Sequence, residues 1–509
     1  MRGRWLERCR QEAVWLAAGL GIVVLAGIPA ILYPFGRDQA MFAYVADAWL
    51  HGDLPYRDAW DIKPPGIFAV YALAFSAFGR GVWAPRIADL VATLIAAFVL
   101  YVIARRQGGC LQGAIAVALF GLAYFTLSYW DTAQAESFAA VFTVLFVYAL
   151  LRARDDGGAS WWAAAGLCLG CLVLLKTTFA AFVVLAVPAG WSTIWQRRRI
   201  GLGLRAFAVA CAVPTALMLG YFAHHDALAY LGELITAQMG YAQGHGGDHL
   251  RWAAPDWALL AQEPTLLLCV LCAGLSVLAG RARRGPDHWI VVAWLGASLL
   301  LFVVQQRFPP YHAVPILPPL ALLASAPLAS AAGSLVRARG RARRVLAVAG
   351  VALVLIGAAA PVYPRYRLAY SVLSGRLSRH EYWANFEGMY NYSYGECVLV
   401  ADLIRARTRP AEPILVYAFE PAIYFLAERR SPTRHLSTAP IFGETQIPKE
   451  MRQRWLAEQL RDIADRPPHY LVMVLPAVHD QSPEHVTLGG HRFRRETTIE
   501  KFLVYRLSE

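Results

Sequence analysis

Long apolar runs separated by short polar segments dominate the first 360 residues of the chain. A membrane-spanning helix needs about 20 mostly apolar residues. The first run, Ala13 to Tyr33, has this length and is longer than the apolar core of a signal peptide. With it, the runs predict eleven membrane-spanning helices. The other ten begin near Ala84, Gly109, Ser137, Trp161, Phe179, Leu204, Trp257, His288, Ala313 and Val345.

One apolar segment, Pro65 to Gly79, has only 15 residues and is short for a span. If it does not cross the bilayer, all the Arg clusters between the later runs face the cytoplasm, where Lys and Arg are enriched. We therefore expect a helix that lies at the outer interface. This topology places the N-terminus in the cytoplasm, and it makes residues 34–85 one outer loop. The Arg clusters are Arg105-Arg106, Arg152/Arg154, Arg197 to Arg199, Arg281 to Arg284 and Arg337 to Arg344.

The last part of the chain, residues 362–509, has the composition of a soluble domain. The runs Pro413 to Ala418 and Tyr470 to Leu475 resemble strands, and helical patterns surround them. Alternation of strand and helix predicts a small α/β domain with a partly parallel sheet. The expected fold is a membrane helical bundle, residues 1–361, followed by an extracytoplasmic α/β domain.

Composition supports a polytopic membrane protein. Of the 509 residues, 57% are hydrophobic and only 16% are charged, whereas soluble proteins have about 25% charged residues. The net charge of +13 is explained by the Arg clusters between the runs, so we expect no nucleic-acid partner. Two C-x-x-C pairs, Cys168/Cys171 and Cys269/Cys272, lie inside apolar runs, and we expect packing roles for them.

Ionisable residues in the predicted outer loops are the candidates for chemistry. Asp38 follows the first helix closely and Lys63 precedes the interfacial segment, so both should lie near the lipid boundary, where charges are costly and often functional. A site there would suit a lipid-borne anion, with cations for a phosphate and a carboxylate for proton transfer. The other outer-loop candidates are Asp61, Glu136, Lys176, Arg251, Arg307 and Tyr311.

Metal binding is a weaker hypothesis. His245, Asp248 and His249 are of metal-ligand type. Their Gly-rich surroundings are more typical of a flexible loop, so the sequence leaves a divalent cation open.

Five short motifs together resemble a known family. Their order is one helix, an acidic residue, a long outer loop with a Lys-Pro element, an interfacial helix and then the remaining helices. This order is similar to that of membrane glycosyltransferases of the GT-C type. These include dolichyl-phosphate-mannose protein mannosyltransferases and the bacterial transferases that add aminoarabinose or galacturonic acid to lipid A. The motifs are Arg37-Asp38-Gln39, Asp61-Ile62-Lys63-Pro64-Pro65, Gln134-Ala135-Glu136, Leu175-Lys176-Thr177 and Arg307-Phe308-Pro309-Pro310-Tyr311.

The resemblance implies an inverting transferase whose donor is a sugar on a polyprenyl phosphate. It implies that Asp38 is the catalytic carboxylate and that Lys63 neutralises the donor phosphate. Relatives often have a second acid where Gln39 stands, which puts a metal role there in doubt. Further phosphate-binding candidates are Arg307, Lys176 and Arg251, and the candidates for orienting acceptor or sugar are Glu136, Asp61 and Tyr311.

The implied partners are the lipid-linked sugar donor, membrane lipids and an acceptor that is a glycolipid, a polysaccharide or a protein. The implied location is the bacterial inner membrane. The alternative function is a polytopic transporter, or a flippase or ligase for lipid-linked glycans. Transporters usually place ionisable residues near the bilayer midplane, whereas here they cluster at the predicted outer ends. For the C-terminal domain, guidance of the acceptor and a stabilising cap remain alternatives.

Overall fold

The structure is a computed structural model. It describes residues 2–195, 200–243, 264–279, 286–305, 309–337, 345, 357, 360–388, 391–438, 447–474 and 483–508. The chain divides into two compact units. The first comprises Met1–Tyr33, Pro85–Met218 and Asp248–Tyr370, and the second comprises Pro34–Ala84, Leu219–Gly247 and Ser371–Glu509. Thus the predicted outer loop packs in the same unit as the C-terminal segment. The domain boundary near residue 361 stays a prediction.

Helices make up most of the described chain, and seven strands follow near its end. The helices are α1 Arg2–Gly27, α2 Arg37–Leu50, α3 Gly66–Phe78, α4 Trp83–Gly108, α5 Cys110–Phe125, α6 Ala135–Asp156, α7 Ala159–Leu175, α8 Ala186–Trp195, α9 Ile200–His224, α10 Leu228–Gln243, α11 Pro264–Ala279, α12 Pro286–Val304, α13 Leu317–Arg337, α14 Tyr363–Leu373, α15 Arg379–Trp383, α16 Tyr394–Arg407, α17 Ala422–Ala427 and α18 Lys449–Asp465. The strands are β1 Glu387–Gly388, β2 Tyr392–Ser393, β3 Ile414–Tyr417, β4 Tyr470–Val474, β5 His485–Leu488, β6 His491–Ile499 and β7 Phe502–Leu507.

The first unit is a bundle of apolar helices. Within the described ranges of both units together, six helices are long and apolar enough to cross a membrane, and five apolar helices are shorter. One of the shorter ones is the predicted interfacial helix, α3. The helical membrane-type fold is therefore confirmed. The count of eleven spans stays a prediction, and most of the run that begins at Val345 lies outside the described residues.

Small residues allow close helix packing in the first unit. A Cβ added to Gly166 of α7 would clash with the carbonyl oxygen of Phe207 on α9, and one added to Gly170 would clash with that of Cys211. This spacing of small residues four apart is a common interface of membrane helices. In the described chain, the cysteines of both C-x-x-C pairs are free thiols within helices, as a packing role requires.

A five-stranded mixed sheet forms the core of the C-terminal part of the second unit, in the order β3-β4-β7-β6-β5. The two predicted strands, β3 and β4, pair in parallel with Ile414 opposite Tyr470, so the expected partly parallel sheet is confirmed. The remaining neighbours are antiparallel. Strands β5 to β7 were not predicted. The buried core consists of Leu415, Ile463, Leu471, Phe493, Leu503 and Tyr505.

Two helices of the second unit each bury one face of apolar residues. Helix α3 buries Phe68, Tyr71 and Phe75 at three- and four-residue spacing, whereas Leu73 is 69% exposed. An exposed apolar face of this kind suits a helix at the lipid interface. The apolar runs also predict an outer loop from His224 to Pro255, and helix α10 corrects this prediction for residues 228–243. Its buried residues, Leu231, Leu234 and Ala237, recur every three positions, a helical period that the sequence contains.

Candidate functional site

Asp38 and Lys63 lie next to each other in the second unit. Lys63 Nζ is 3.7 Å from Asp38 Oδ2, and the side chains are 23% and 20% exposed. Asp38 lies in the first turn of α2, where the helix dipole favours a negative charge. The side chain of Gln39 caps the same turn, because its Oε1 accepts a hydrogen bond from Gly36 N at 2.8 Å. Asp38 and Lys63 therefore form a partly exposed ion pair beside the N-terminus of α2.

The segment that carries Lys63 has a strained backbone. Tyr56 is fully buried and has φ +70°, a conformation that costs a bulky residue about 1–3 kcal/mol. Its hydroxyl donates to the carbonyl oxygen of Lys63 at 2.8 Å, and its ring packs against Phe68 and Phe222. Gln238 Nε2 of α10 donates to the carbonyl oxygen of Ile62 at 2.9 Å. These contacts hold the peptide groups on both sides of Lys63.

Asp61 is an acid with a strongly shifted pKa in this segment. Burial raises the pKa of its carboxyl to about 7; Lys63 opposes the increase and Asp38 adds to it. Oδ1 accepts from Ile62 N at 2.7 Å, while the buried Oδ2 has no hydrogen-bond partner among the described residues. Near neutral pH this group is therefore divided between its two protonation states, which is a common property of functional acids.

A second group of ionisable residues lies in the first unit. Glu136, 1% exposed, is in the first turn of α6, and Lys176 Nζ donates to its Oε1. Lys176 is an extended residue between the end of α7 and a 3₁₀ helix, Thr177–Leu185, so the helix is interrupted where the cation lies. His312 Nε2 is 3.5 Å from the same carboxylate oxygen. The structure therefore pairs two predicted site residues and adds a histidine, against which the ring of Tyr311 packs.

Several predicted residues have no structural description. Arg307, Arg251, His245, Asp248 and His249 lie outside the described residues. In the part of the chain that is described, no group of three or more His, Cys, Asp and Glu side chains is arranged to hold a metal ion. The metal hypothesis therefore gains no support from the described residues.

The sequence analysis missed three residues that hold the segments of Asp38 and Lys63. Gln238 could have been found, because the apolar period of α10 marks a helix rather than a loop. Arg434 donates to the carbonyl oxygen of Tyr56, and Glu420 binds Arg37. No local pattern distinguishes these two residues from surface charges, since their role depends on contacts across hundreds of residues.

The chain matches a family model within its helical part. The model of the dolichyl-phosphate-mannose-protein mannosyltransferase family matches residues 62–219. This range includes Lys63, Glu136 and Lys176, and it ends before α10.

Among solved structures, ArnT from Cupriavidus metallidurans bound to undecaprenyl phosphate has the same fold. The TM-score is 0.63 at 17% identity, over 97% of each chain. The resemblance to GT-C type membrane glycosyltransferases is confirmed.

Two curated relatives are named undecaprenyl phosphate-alpha-4-amino-4-deoxy-L-arabinose arabinosyl transferase. The one from Pseudomonas savastanoi pv. phaseolicola is 25% identical over 70% of this chain and 68% of its own length. The one from Pseudomonas paraeruginosa is 28% identical over 51% of this chain and 48% of its own.

Proposed function

We propose that this chain is an inverting glycosyltransferase that moves a sugar from a polyprenyl phosphate to a hydroxyl acceptor. The donor proposed first is a sugar on undecaprenyl phosphate, the lipid in the names of the relatives. The observation that carries the proposal is the Asp38–Lys63 pair, because it joins a base and a phosphate-binding cation at one partly exposed place. The comparisons do not favour the transporter or flippase alternative.

The proposed reaction uses Asp38 as the general base. Its carboxylate takes the proton of the acceptor hydroxyl while that oxygen bonds to the anomeric carbon of the sugar. The bond from the anomeric carbon to the phosphate oxygen breaks, and its electron pair leaves with the polyprenyl phosphate. Attack opposite the leaving group inverts the anomeric configuration. A positioned base of this kind contributes about 10²–10⁴-fold.

Lys63 is the proposed cation for the leaving group. Its amine is too far from Asp38, at 3.7 Å, for a strong hydrogen bond. A bound phosphate can therefore take Asp38's place beside the ammonium and leave the aspartate to act as a base. Negative charge grows on the phosphate in the transition state, where a fixed cation is most effective.

Glu136, His312 and Lys176 are proposed to orient the sugar or the acceptor. Lys176 is already paired with a buried carboxylate, so we rank it below Lys63 as a phosphate ligand. Arg307 and Arg251 stay proposed phosphate ligands, Asp61 and Tyr311 are proposed to assist orientation, and a divalent cation is not required by the proposed reaction.

The proposed location is the bacterial inner membrane, with eleven spans, a cytoplasmic N-terminus and the C-terminal domain outside. Ten of the eleven predicted runs correspond to the six long helices and four of the shorter ones. Labelling of single cysteines at positions 3 and 484 in intact cells tests this topology. Labelling at 484 but not at 3 is the expected result, and the reverse would contradict it.

The test of function is transfer by the purified full chain in lipid nanodiscs with synthetic polyprenyl-phosphate sugars. We expect Asp38→Asn to lose at least about 10²-fold in kcat and Lys63→Met to raise the donor KM. The matched controls are Asp402→Asn, whose side chain is 56% exposed, and Lys449→Met at an exposed position. Wild-type inactivity with all such donors would refute the proposed function, and full activity of Asp38→Asn would refute the assigned base.

A further inference from the structure

Residues of the C-terminal segment hold the start of α2, where Asp38 lies. Arg37 Nη2 donates to Glu420 Oε1 at 2.7 Å, and these side chains are only 12% and 2% exposed. The Arg37 guanidinium also lies 5.5 Å from the ring centre of Tyr392. The hydroxyl of Tyr392 donates to the carbonyl oxygen of Phe35 at 2.9 Å. The residues directly before Asp38 are thus fixed by a buried ion pair and a buried hydrogen bond.

The buried carboxylate of Glu420 also affects the electrostatics of the pair. Arg37 directly precedes Asp38, and a bidentate guanidinium is a strong partner for any carboxylate. Glu420 supplies Arg37 with a carboxylate of its own, so Asp38 can face Lys63. Burial raises the pKa of Glu420, and the hydrogen bond from Arg37 opposes this increase.

A second set of contacts holds the segment of Lys63. Arg434, whose side chain is 5% exposed, donates to the carbonyl oxygen of Tyr56 at 3.0 Å. Its own carbonyl oxygen accepts from Trp60 N at 2.8 Å. The hydroxyl of Tyr56 donates to the carbonyl oxygen of Lys63. Tyr56 therefore connects Arg434 to Lys63, and a displacement of Arg434 should displace Lys63.

Two carboxylates fix Arg434 in turn. Its guanidinium bonds both oxygens of Glu458, at 2.6 and 2.9 Å, and Glu233 of α10 at 2.9 Å. Burial raises the pKa of Glu458, but the neighbouring His435 and the hydrogen bonds from Arg434 outweigh this effect and lower it to about 2. The ion pair therefore persists over the whole physiological pH range.

We propose that the C-terminal domain sets the spacing between Asp38 and Lys63, with Glu420 and Arg434 as positioning residues. The assignment rests on the proposed function for its catalytic meaning. It differs from both roles that the sequence left open for this domain. Acceptor guidance would affect only large natural acceptors, and a cap would affect only stability, whereas positioning affects transfer to every acceptor.

The first experiment compares Glu420→Gln and Arg434→Lys in the full chain with a small soluble acceptor. A misplacement of about 1 Å can cost about 10²-fold. We expect Glu420→Gln to lower kcat at least 10-fold with little change in donor KM, because only Asp38 is disturbed. Arg434→Lys should also raise the donor KM, because Lys63 moves. The controls are Glu484→Gln and Arg494→Lys. The native Glu484 and Arg494 form an ion pair in the same domain, and their side chains are 63% and 69% exposed.

The second experiment measures the chemical accessibility of Lys63 and does not depend on catalytic activity. The chain has only four lysines, Lys63, Lys176, Lys449 and Lys501, so acetylation by acetic anhydride can be followed at each by mass spectrometry. We expect the rate at Lys63, relative to the exposed Lys449, to change at least 3-fold in Arg434→Lys and to stay constant in Arg494→Lys. Raised acetylation of the more buried Lys176 and Lys501 would reveal a misfolded variant.

If either variant misfolds, Tyr392→Phe tests the proposal instead, because it removes only the hydroxyl that bonds the carbonyl oxygen of Phe35. A 3- to 10-fold lower kcat with unchanged donor KM supports positioning. Wild-type kinetics in Tyr392→Phe, unchanged Lys63 acetylation in a folded Arg434→Lys, or losses confined to large acceptors would overturn it. Inactivity of the wild-type chain would refute the proposed function instead, and the acetylation result would still stand.

Discussion

The raised pKa of Asp61 predicts how the free energy of unfolding depends on pH. The folded chain keeps the carboxyl proton up to about pH 7, because burial raises the pKa of the group to about 7. The unfolded chain loses this proton near pH 4, about the ordinary value. Between these values the folded chain binds more protons, so its free energy of unfolding falls as the pH rises.

The size of the effect follows from the same shift. The pKa rises by about three units from 3.8, and one unit corresponds to about 1.4 kcal/mol. The full shift therefore corresponds to about 4 kcal/mol. Because the residue is partly exposed, solvent screening reduces this to roughly 2–4 kcal/mol. Above pH 7 the charged Asp61 thus destabilises the fold.

The perturbation is Asp61→Asn, which keeps the shape and removes the titration. We expect the variant to be more stable than wild type at pH 8, with a Tm several °C higher, and the two to converge towards pH 4.5. Differential scanning fluorimetry in nanodiscs measures both profiles, and Asp402→Asn is the exposed control. Parallel pH profiles of Asp61→Asn and wild type would refute the assignment of a raised pKa to this carboxyl.

The remaining predictions concern transfer and the first unit. Asp38→Asn should reduce kcat at least about 10²-fold in the nanodisc transfer assay, whereas the control Asp402→Asn should keep wild-type activity. Lys176→Met should destabilise the fold by about 3–5 kcal/mol, because it removes the ammonium beside the buried carboxylate of Glu136. In a double-mutant cycle followed by thermal unfolding, adding Glu136→Gln should recover much of this loss. Simple additivity of the two single effects would contradict the pairing. Gly166→Val should lower the Tm and the yield of folded protein, since its side chain would meet the backbone of α9, whereas Gly201→Val, where a Cβ meets no neighbour, should not.

The apolar helices and the parallel strand pair could be predicted because their signals are local. A spanning helix is a continuous apolar run, and β3 and β4 are short buried runs between helical patterns. The predicted helical patterns of the C-terminal part correspond to α16, α17 and α18. Strands β5 and β6 were missed because exposed polar residues alternate with less exposed ones, as in HRFRRETTI. Strand β7 is a short buried run, FLVYRL, whose local signal was overlooked.

The candidate site was predictable in part for the same reason. Asp38 and Lys63 were named because each lies beside a predicted helix end and within a short motif. Helix α10 was missed although its apolar residues have a helical period, and Gln238 was therefore missed as well.

By itself the sequence determined a membrane helical bundle, a C-terminal sheet domain and the identity of three acids and two lysines worth testing, because apolar length and short motifs are properties of neighbouring residues. Only the tertiary structure decided which charges meet. Arg37 and Glu420 are 383 positions apart, and a buried ion pair has no local signature that separates it from two solvated charges. The spacing of Asp38 and Lys63, and the pairing of Lys176 with Glu136, therefore follow from how the chain packs.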